Sequence, residues 1–197
     1  MSESGSATFR FEEDGHKYFL GDQQLPSVTQ ILEGVGIIDK RFYAPGSDQR
    51  GRYIHKMTEL DDTGELAEEN VKDDLRGYLE AWRKWKTDHD AEILDSEYKV
   101  YHPYYGYAGT IDKVIGGKHL HIADIKSGQP EKWHVLQLTA YFQCFLAMPN
   151  EKRWKNKDVH LLNIYLKDDG SYKTVKSDPN IPMWEAILRV WKWKEAK

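Results

Sequence analysis

The stretch that decides the fold is Gly109-Thr110-Ile111-Asp112-Lys113-Val114-Ile115-Gly116-Gly117, followed after Lys118-His119 by Leu120-His121-Ile122-Ala123-Asp124-Ile125-Lys126-Ser127-Gly128. It predicts a strand, a tight turn and a returning strand. Gly116-Gly117 gives the reversal its backbone freedom, and Leu120, Ile122 and Ile125 are the apolar positions on the way back. Asp112 falls near the middle of the first strand and Asp124 near the end of the second. Lys126 lies two residues past Asp124, and the two-residue period of a strand puts both side chains on one face. A carboxylate from each strand and one ammonium thus converge on one patch. One reading is a hairpin carrying a surface ion pair, which needs no function. The other is a site for a hard divalent cation. Carboxylates held close repel unless positive charge lies between them, and Mg²⁺ is the usual occupant of an oxygen-rich site. Lys126 would then orient or help deprotonate a water, or neutralise charge growing on a phosphoryl group. Such a set suits hydrolysis of a phosphodiester.

The neighbouring segments extend the patch. Ala91 to Tyr101 reads as an earlier strand, with Tyr98 and Val100 facing a core and Asp95, Glu97 and Lys99 on the opposite face. Glu97 is either an ordinary solvated residue or a third carboxylate beside Asp112, if the strands pair across His102-Pro103-Tyr104-Tyr105-Gly106. Downstream, Glu131 to Leu146 has helical periodicity, with Leu138, Phe142, Phe145 and Leu146 as its apolar stripe and Leu136 beside it. Gln137 and Tyr141 are one turn apart on that helix. They form either a plain polar edge or a pair that holds Lys126 or a phosphate. Val159 to Lys167 is a strand, Asp168-Asp169-Gly170 a turn, and Tyr172 to Lys176 its partner. Pro182 opens a last helix reaching Lys197, packed through Trp184, Ile187, Leu188 and Trp191.

Before the sheet, Phe11 to Phe19 predicts a short hairpin around Asp14-Gly15. Leu25 to Leu32 is a turn into a short helix, with Ser27 or Thr29 as N-cap and Gly34 or Gly36 as stop. Gly46 to Gly51 reads as linker-like. A helix over Asp48 to Leu60 carries Ile54, Met57 and Leu60, with His55 beside that stripe. On its own, His55 is a half-buried structural imidazole or a ligand. The acidic run Asp61 to Asp74 reads as solvated, and a helix from Leu66 buries Val71, Leu75, Tyr78, Leu79, Trp82 and Trp85. His119 and His121 alternate on a strand, but no third ligand is evident nearby, so a metal site there is discounted.

The 197 residues suffice for one domain with a real core. We divide it into an N-terminal helical part (25–90), a sheet core (91–176) and a C-terminal helix (180–197). Cys144 is the only cysteine, which excludes an internal disulfide and a four-cysteine iron–sulfur cluster. No apolar run suggests a signal peptide or a membrane span, so a cytoplasmic protein with no membrane partner is expected. The net charge of −4 hides a segregation: residues 1–97 carry 12 Lys/Arg against 22 Asp/Glu, residues 98–197 carry 16 against 10. The half with the converging charges is the half a polyanion prefers. Seven Trp and twelve Tyr supply core bulk and also surfaces on which bases stack.

Taken together, the elements resemble the PD-(D/E)XK nuclease superfamily, and most of all its RecB-like branch of phage-type exonucleases, which includes the mitochondrial genome maintenance exonuclease. The matching motifs are Gly51-Arg52-Tyr53-Ile54-His55, Gly109-Thr110-Ile111-Asp112, Asp124-Ile125-Lys126 and Gln137-Leu138-Thr139-Ala140-Tyr141, in that order over roughly residues 25 to 166. The resemblance implies a mixed α/β fold in which helices flank a central mixed sheet, with an αβββαβ core as in restriction endonucleases. It implies Mg²⁺, with Mn²⁺ as substitute, held by His55, Asp112, Asp124, the carbonyl of Ile125 and Glu97, with Lys126 as the catalytic lysine. Gln137 and Tyr141 would hold the site or the DNA phosphate. Arg52 and the basic run Lys152, Arg153 and Lys155, whose composition suits a nucleic-acid backbone, are the further candidates for substrate contact. The implied reaction is hydrolysis of DNA from single-stranded or free ends, leaving 5′-phosphates, in recombination or repair within a bacterial or phage-infected cell. A helicase or a single-strand annealing or binding protein is the candidate protein partner. A structure-selective or restriction-like endonuclease, and a binding module without activity, are the alternatives.

Overall fold

A computed structural model of the chain describes residues 7–39, 41, 45–148 and 158–196. Its centre is a five-stranded sheet in the order β4-β5-β6-β7-β8, formed by Ile93–His102, Tyr107–Ile115, Leu120–Lys126, Val159–Leu166 and Tyr172–Ser177. The pairs are antiparallel except β6 with β7, which run parallel. A parallel pair needs a crossover, and helix α4 (His134–Ala147) lies between them in the chain. Helix α3 (Asp73–Asp88) precedes the sheet, so the order α3-β4-β5-β6-α4-β7 is the αβββαβ core that the motifs imply.

Each face of the sheet is covered by helices. On one side, α4 packs with α1 (Val28–Gly34) and α5 (Ile181–Glu195) around Tyr107, Ile111, Val114 and Ile122. On the other, α2 (Ser47–Thr63) and α3 pack around Ile115, Ala123, Ile125 and Ile164. The stripe Leu75, Tyr78, Leu79, Trp82 and Trp85 of α3 is buried as its periodicity requires, each such side chain contributing about 1.5–3 kcal/mol. Gly77 lets α3 come close to the β7–β8 turn: a Cβ there would lie 1.7 Å from the Asp168 carbonyl oxygen. A second, three-stranded sheet of Phe9–Glu12, Lys17–Leu20 and Gln23–Leu25 (β1–β3) packs Tyr18 and Leu25 against Tyr101 and Ala108. Ser27 caps α1 in a reciprocal capping box with Gln30, one of the two caps expected.

Four expectations are corrected. The interval Gly46 to Gly51 is not a linker, because α2 begins at Ser47 and runs through Gly51. The helix expected from Leu66 begins at Asp73, after a 3-10 turn at Glu68–Asn70. The helix expected from Glu131 begins at His134, and Leu146 at its end is 60% exposed rather than packed. The acidic run is not all solvated. Asp61 and Asp62 are buried against Arg83, Lys86 and Lys113, because α2 continues to Thr63 and carries both carboxylates inside. Lys152, Arg153 and Lys155 lie outside the described residues.

Candidate active site

The site forms where β5 and β6 part. Their ladder pairs Lys113 with Ala123, Val114 with Ile122 and Ile115 with His121. Beyond it β6 continues along β7, pairing Asp124 with Asn163 and Lys126 with Tyr165. Across the fork, Asp112 Oδ2 accepts the Ile125 N–H at 2.6 Å, replacing a ladder bond with a side-chain one. This contact ties the first carboxylate to the backbone of the Asp124-Ile125-Lys126 motif. Asp112 and Asp124 are 6% and 1% exposed.

The β4–β5 pairing explains how Asp112 is aimed. Ser96 pairs with Lys113 and Tyr98 with Ile111, which leaves Glu97 across from Asp112. Glu97 has φ of +54°, a left-handed conformation uncommon for a residue with a side chain. Here the alternation fails: Asp112 reaches His55 and Lys113 reaches Asp62, so two successive residues of β5 meet the same helix, α2. His55 and Asp62 are two turns apart on α2 and share a face. His55 Nδ1 stands 3.2 Å from Asp112 Oδ1 and 3.9 Å from Glu97 Oε1. One ligating atom from each of His55, Glu97 and Asp112 lies within 4.8 Å of the others. Lys99 donates to the Glu97 carbonyl at 2.7 Å and holds this irregular turn of the strand.

On the α4 side, Lys126 Nζ stands 2.6 Å from Asp124 Oδ2 and donates to Gln137 Oε1 at 2.9 Å. Gln137 Nε2 in turn donates to Tyr141 Oη at 2.9 Å. The Trp133 ring centroid is 5.3 Å from the same ammonium. Tyr141 fits because Gly109 has no side chain: a Cβ there would stand 2.4 Å from Tyr141 Cε1. Asn163 on β7 donates to Asp124 Oδ2 at 3.3 Å.

The charges shape one another. Burial disfavours the His55 imidazolium, yet the Asp112 carboxylate and then Glu97 outweigh it and push the group up to about 10. Burial works against an ionised Asp112 too, but His55, Lys126 and the Ile125 N–H hold it below the ordinary carboxylate range. Burial pushes Asp124 up to about 6 against the pull of Lys126, and the like charge of Asp112 adds to the rise. Next to Lys126, burial and that ammonium push His134 down to about 3, leaving it a neutral partner for Tyr165 at 2.8 Å.

The structure thus gathers His55, Glu97 and Asp112 in one cluster, with Asp124, Lys126, Gln137 and Tyr141 in an adjoining chain joined through Ile125. Asp124 is not among the atoms that close on His55; its carboxylate is turned to Lys126 and Asn163. Gln137 and Tyr141, expected to hold either Lys126 or a phosphate, are 7% and 5% exposed and spend their polar ends on Lys126 and each other. Arg52 is exposed on α2, one turn before His55, and Tyr53 beside it is 44% exposed. Asn163 and Trp133 are not singled out from sequence, since only the parallel β6–β7 register and the start of α4 bring them in; Lys99 reads there only as a strand residue on the Glu97 face, and its bond to the Glu97 carbonyl is what the sequence does not show. An open cleft of about 1080 Å³, lined by Leu25, Gln30, Tyr104, Leu188, Trp191 and Lys192 among others, shares no residue with this cluster.

No family model matches the chain, and neither does any curated protein. Solved structures do show similarity. The alkaline exonuclease LHK-Exo from Laribacter hongkongensis is 14% identical, with a TM-score of 0.42 over 85% of this chain and 86% of that one. LHK-Exo in complex with dAMP gives 13% identity and a TM-score of 0.45 over 86% and 87%. The structure of SSO0001 gives 16% identity and a TM-score of 0.34 over 86% and 84%.

Proposed function

We propose that the chain is a divalent-cation-dependent deoxyribonuclease that hydrolyses DNA from its ends. The observation that carries this reading is the fork between β5 and β6. There two buried carboxylates, one of them bonded to the other's strand, stand beside a lysine whose ammonium is fixed by Asp124 and Gln137. A surface ion pair needs none of this burial. The donor set also fits a cation of the Mg²⁺ or Mn²⁺ class: oxygen ligands dominate, with one imidazole. His55, Glu97 and Asp112 would hold it; Asp124 and the Ile125 carbonyl, on the strand to which Asp112 is bonded, would be further donors if Asp124 turned from Lys126 and Asn163. When bound, such a cation polarises a phosphoryl oxygen and lowers the pKa of water at the reacting phosphorus.

The chain's own groups do the rest. Lys126 keeps its ammonium at one place through Asp124, Gln137 and the Trp133 face, so it can orient the attacking water and neutralise charge on the phosphoryl oxygens. Gln137 and Tyr141 fix its position from α4. Arg52 and Tyr53, both exposed before His55, offer a phosphate contact and a stacking surface. Such contacts do not read base sequence, which favours an exonuclease over a sequence-specific endonuclease.

The test is a time course on 5′- and 3′-end-labelled linear DNA, single- and double-stranded, beside a single-stranded circle, with Mg²⁺ or EDTA. Mg²⁺-dependent loss from ends that spares the circle supports the exonuclease and gives its polarity. Cutting of the circle replaces it with an endonuclease. Binding without cleavage of any substrate in Mg²⁺ or Mn²⁺ leaves a binding module.

A further inference from the structure

At the opposite end of β6 from Lys126, a second cluster of ligating groups lies outside the site just described. His119 precedes β6, and Asp158 and His160 stand at the start of β7. On sequence alone His119 and His121 lack a third ligand. The parallel register supplies it, setting His121 beside His160 and Leu120 beside Val159. The Leu120 N–H donates to the Asp158 carbonyl at 2.9 Å, which fixes the backbone on which His119 and Asp158 are carried.

The side chains converge closely. His119 Nδ1 is 3.1 Å and His160 Nε2 3.2 Å from the same oxygen, Asp158 Oδ2. All three ligating atoms lie within 4.8 Å of one another, and the two imidazole rings meet edge to face with centroids 4.8 Å apart. Ligands at 2.0–2.1 Å around a tetrahedral Zn²⁺ stand about 3.4 Å from each other. The two nitrogen–oxygen separations are already within a few tenths of an ångström of that. Asp124 lies five positions beyond His119 along the chain, roughly 16 Å at the usual rise per residue of a strand, so neither set of ligands can serve the other's cation.

We propose that His119, Asp158 and His160 form a second metal site, for a borderline divalent transition ion such as Zn²⁺, that staples the N-terminal ends of β6 and β7. Two imidazoles and one carboxylate are the donors such ions take, whereas Mg²⁺ and Ca²⁺ prefer all-oxygen shells. The side chains of His119, Asp158 and His160 are 36%, 66% and 24% exposed, so the ion enters from solvent and water completes its shell. Joining ligands from two strands, the ion adds to stability by binding the folded chain alone. The inference is independent of the nuclease reading.

The test is titration of the full chain with Zn²⁺ in excess Mg²⁺, by calorimetry and by thermal melting, with Co²⁺ absorption as a report on coordination. His119→Ala, His160→Ala and Asp158→Asn are compared with Asp112→Asn, and circular dichroism confirms that each is folded. One tight equivalent is expected in the unaltered chain and in Asp112→Asn, with a rise in Tm. Each of the three ligand variants is expected to weaken it by about tenfold or more and to abolish the rise. Asp158→Asn changes an exposed side chain with little effect on folding and keeps the test decisive if a histidine variant misfolds. Absence of a tight equivalent, retention in the three ligand variants, or loss on Asp112→Asn alone would each overturn the site.

Discussion

Removing Asp62 should destabilise the chain far more than removing the lysine it pairs with. Asp62 Oδ1 accepts from Trp82 Nε1 at 2.9 Å and Lys86 Nζ at 2.8 Å. Its Oδ2 accepts from Ser96 Oγ at 3.1 Å and Lys113 Nζ at 2.5 Å. The side chains of Asp62 and Lys113 are 3% and 1% exposed. In Asp62→Ala, Lys113 becomes a buried charge without its carboxylate and the Trp82 N–H loses its acceptor. Breaking a buried pair in this way costs about 3–5 kcal/mol. For a chain of this size that lowers Tm by roughly 10 °C or more. In Lys113→Met the volume is kept and Asp62 retains Trp82, Lys86 and Ser96, so the cost is about 2 kcal/mol or less. Urea melts followed by circular dichroism measure both. If Asp62→Ala lies within about 1 kcal/mol of the unaltered chain, or Lys113→Met costs as much as Asp62→Ala, the inferred network is wrong.

Three further outcomes follow from the site. Gly109→Ala drives a Cβ into the Tyr141 ring; it should cost about 1–3 kcal/mol and lower kcat through Gln137 and Lys126, while Gly128→Ala, which meets nothing within 4 Å, should do neither. Mg²⁺ or Mn²⁺ binding should release protons, because His55 is held up to about 10 and Asp124 up to about 6. Apparent affinity should therefore rise from pH 5 to pH 7; calorimetry in buffers of different ionisation enthalpy counts the protons, and a pH-independent affinity would count against this assignment. In the metal-free chain, the raised His55 contributes stability that is full below its usual 6.5 and is lost as pH rises through about 10. His55→Gln should flatten that alkaline loss in thermal melts.

What the sequence made legible was local. The Gly116-Gly117 reversal, the Trp82 and Trp85 stripe and the Asp124–Lys126 spacing are set by period and turn chemistry within one or two elements, and the structure has them. The features that were not legible depend on partners distant in the chain. Asp61 and Asp62 sit in a run whose composition reads as solvent-facing, and the Lys113 ammonium from β5 with Lys86 and Arg83 from α3 make their burial tolerable. Period two cannot reveal that Asp112 and Lys113 both meet α2, because the left-handed Glu97 on another strand marks where the alternation fails. Asn163 reaches Asp124, and His160 reaches His119, only through the parallel register of β6 and β7, which a helical crossover creates and no local pattern encodes.

The central claim, that the fork between β5 and β6 hydrolyses phosphodiesters, is tested most directly by release of acid-soluble nucleotides from linear DNA. The unaltered chain would be compared with Asp124→Asn and Lys126→Met, in Mg²⁺ and in EDTA, after melts have shown all three folded. The account predicts release in Mg²⁺ by the unaltered chain alone, with both variants slower by about a thousandfold, the scale expected when a group stabilising transition-state charge is lost. Equal rates in either variant, or undiminished release in EDTA, would contradict it.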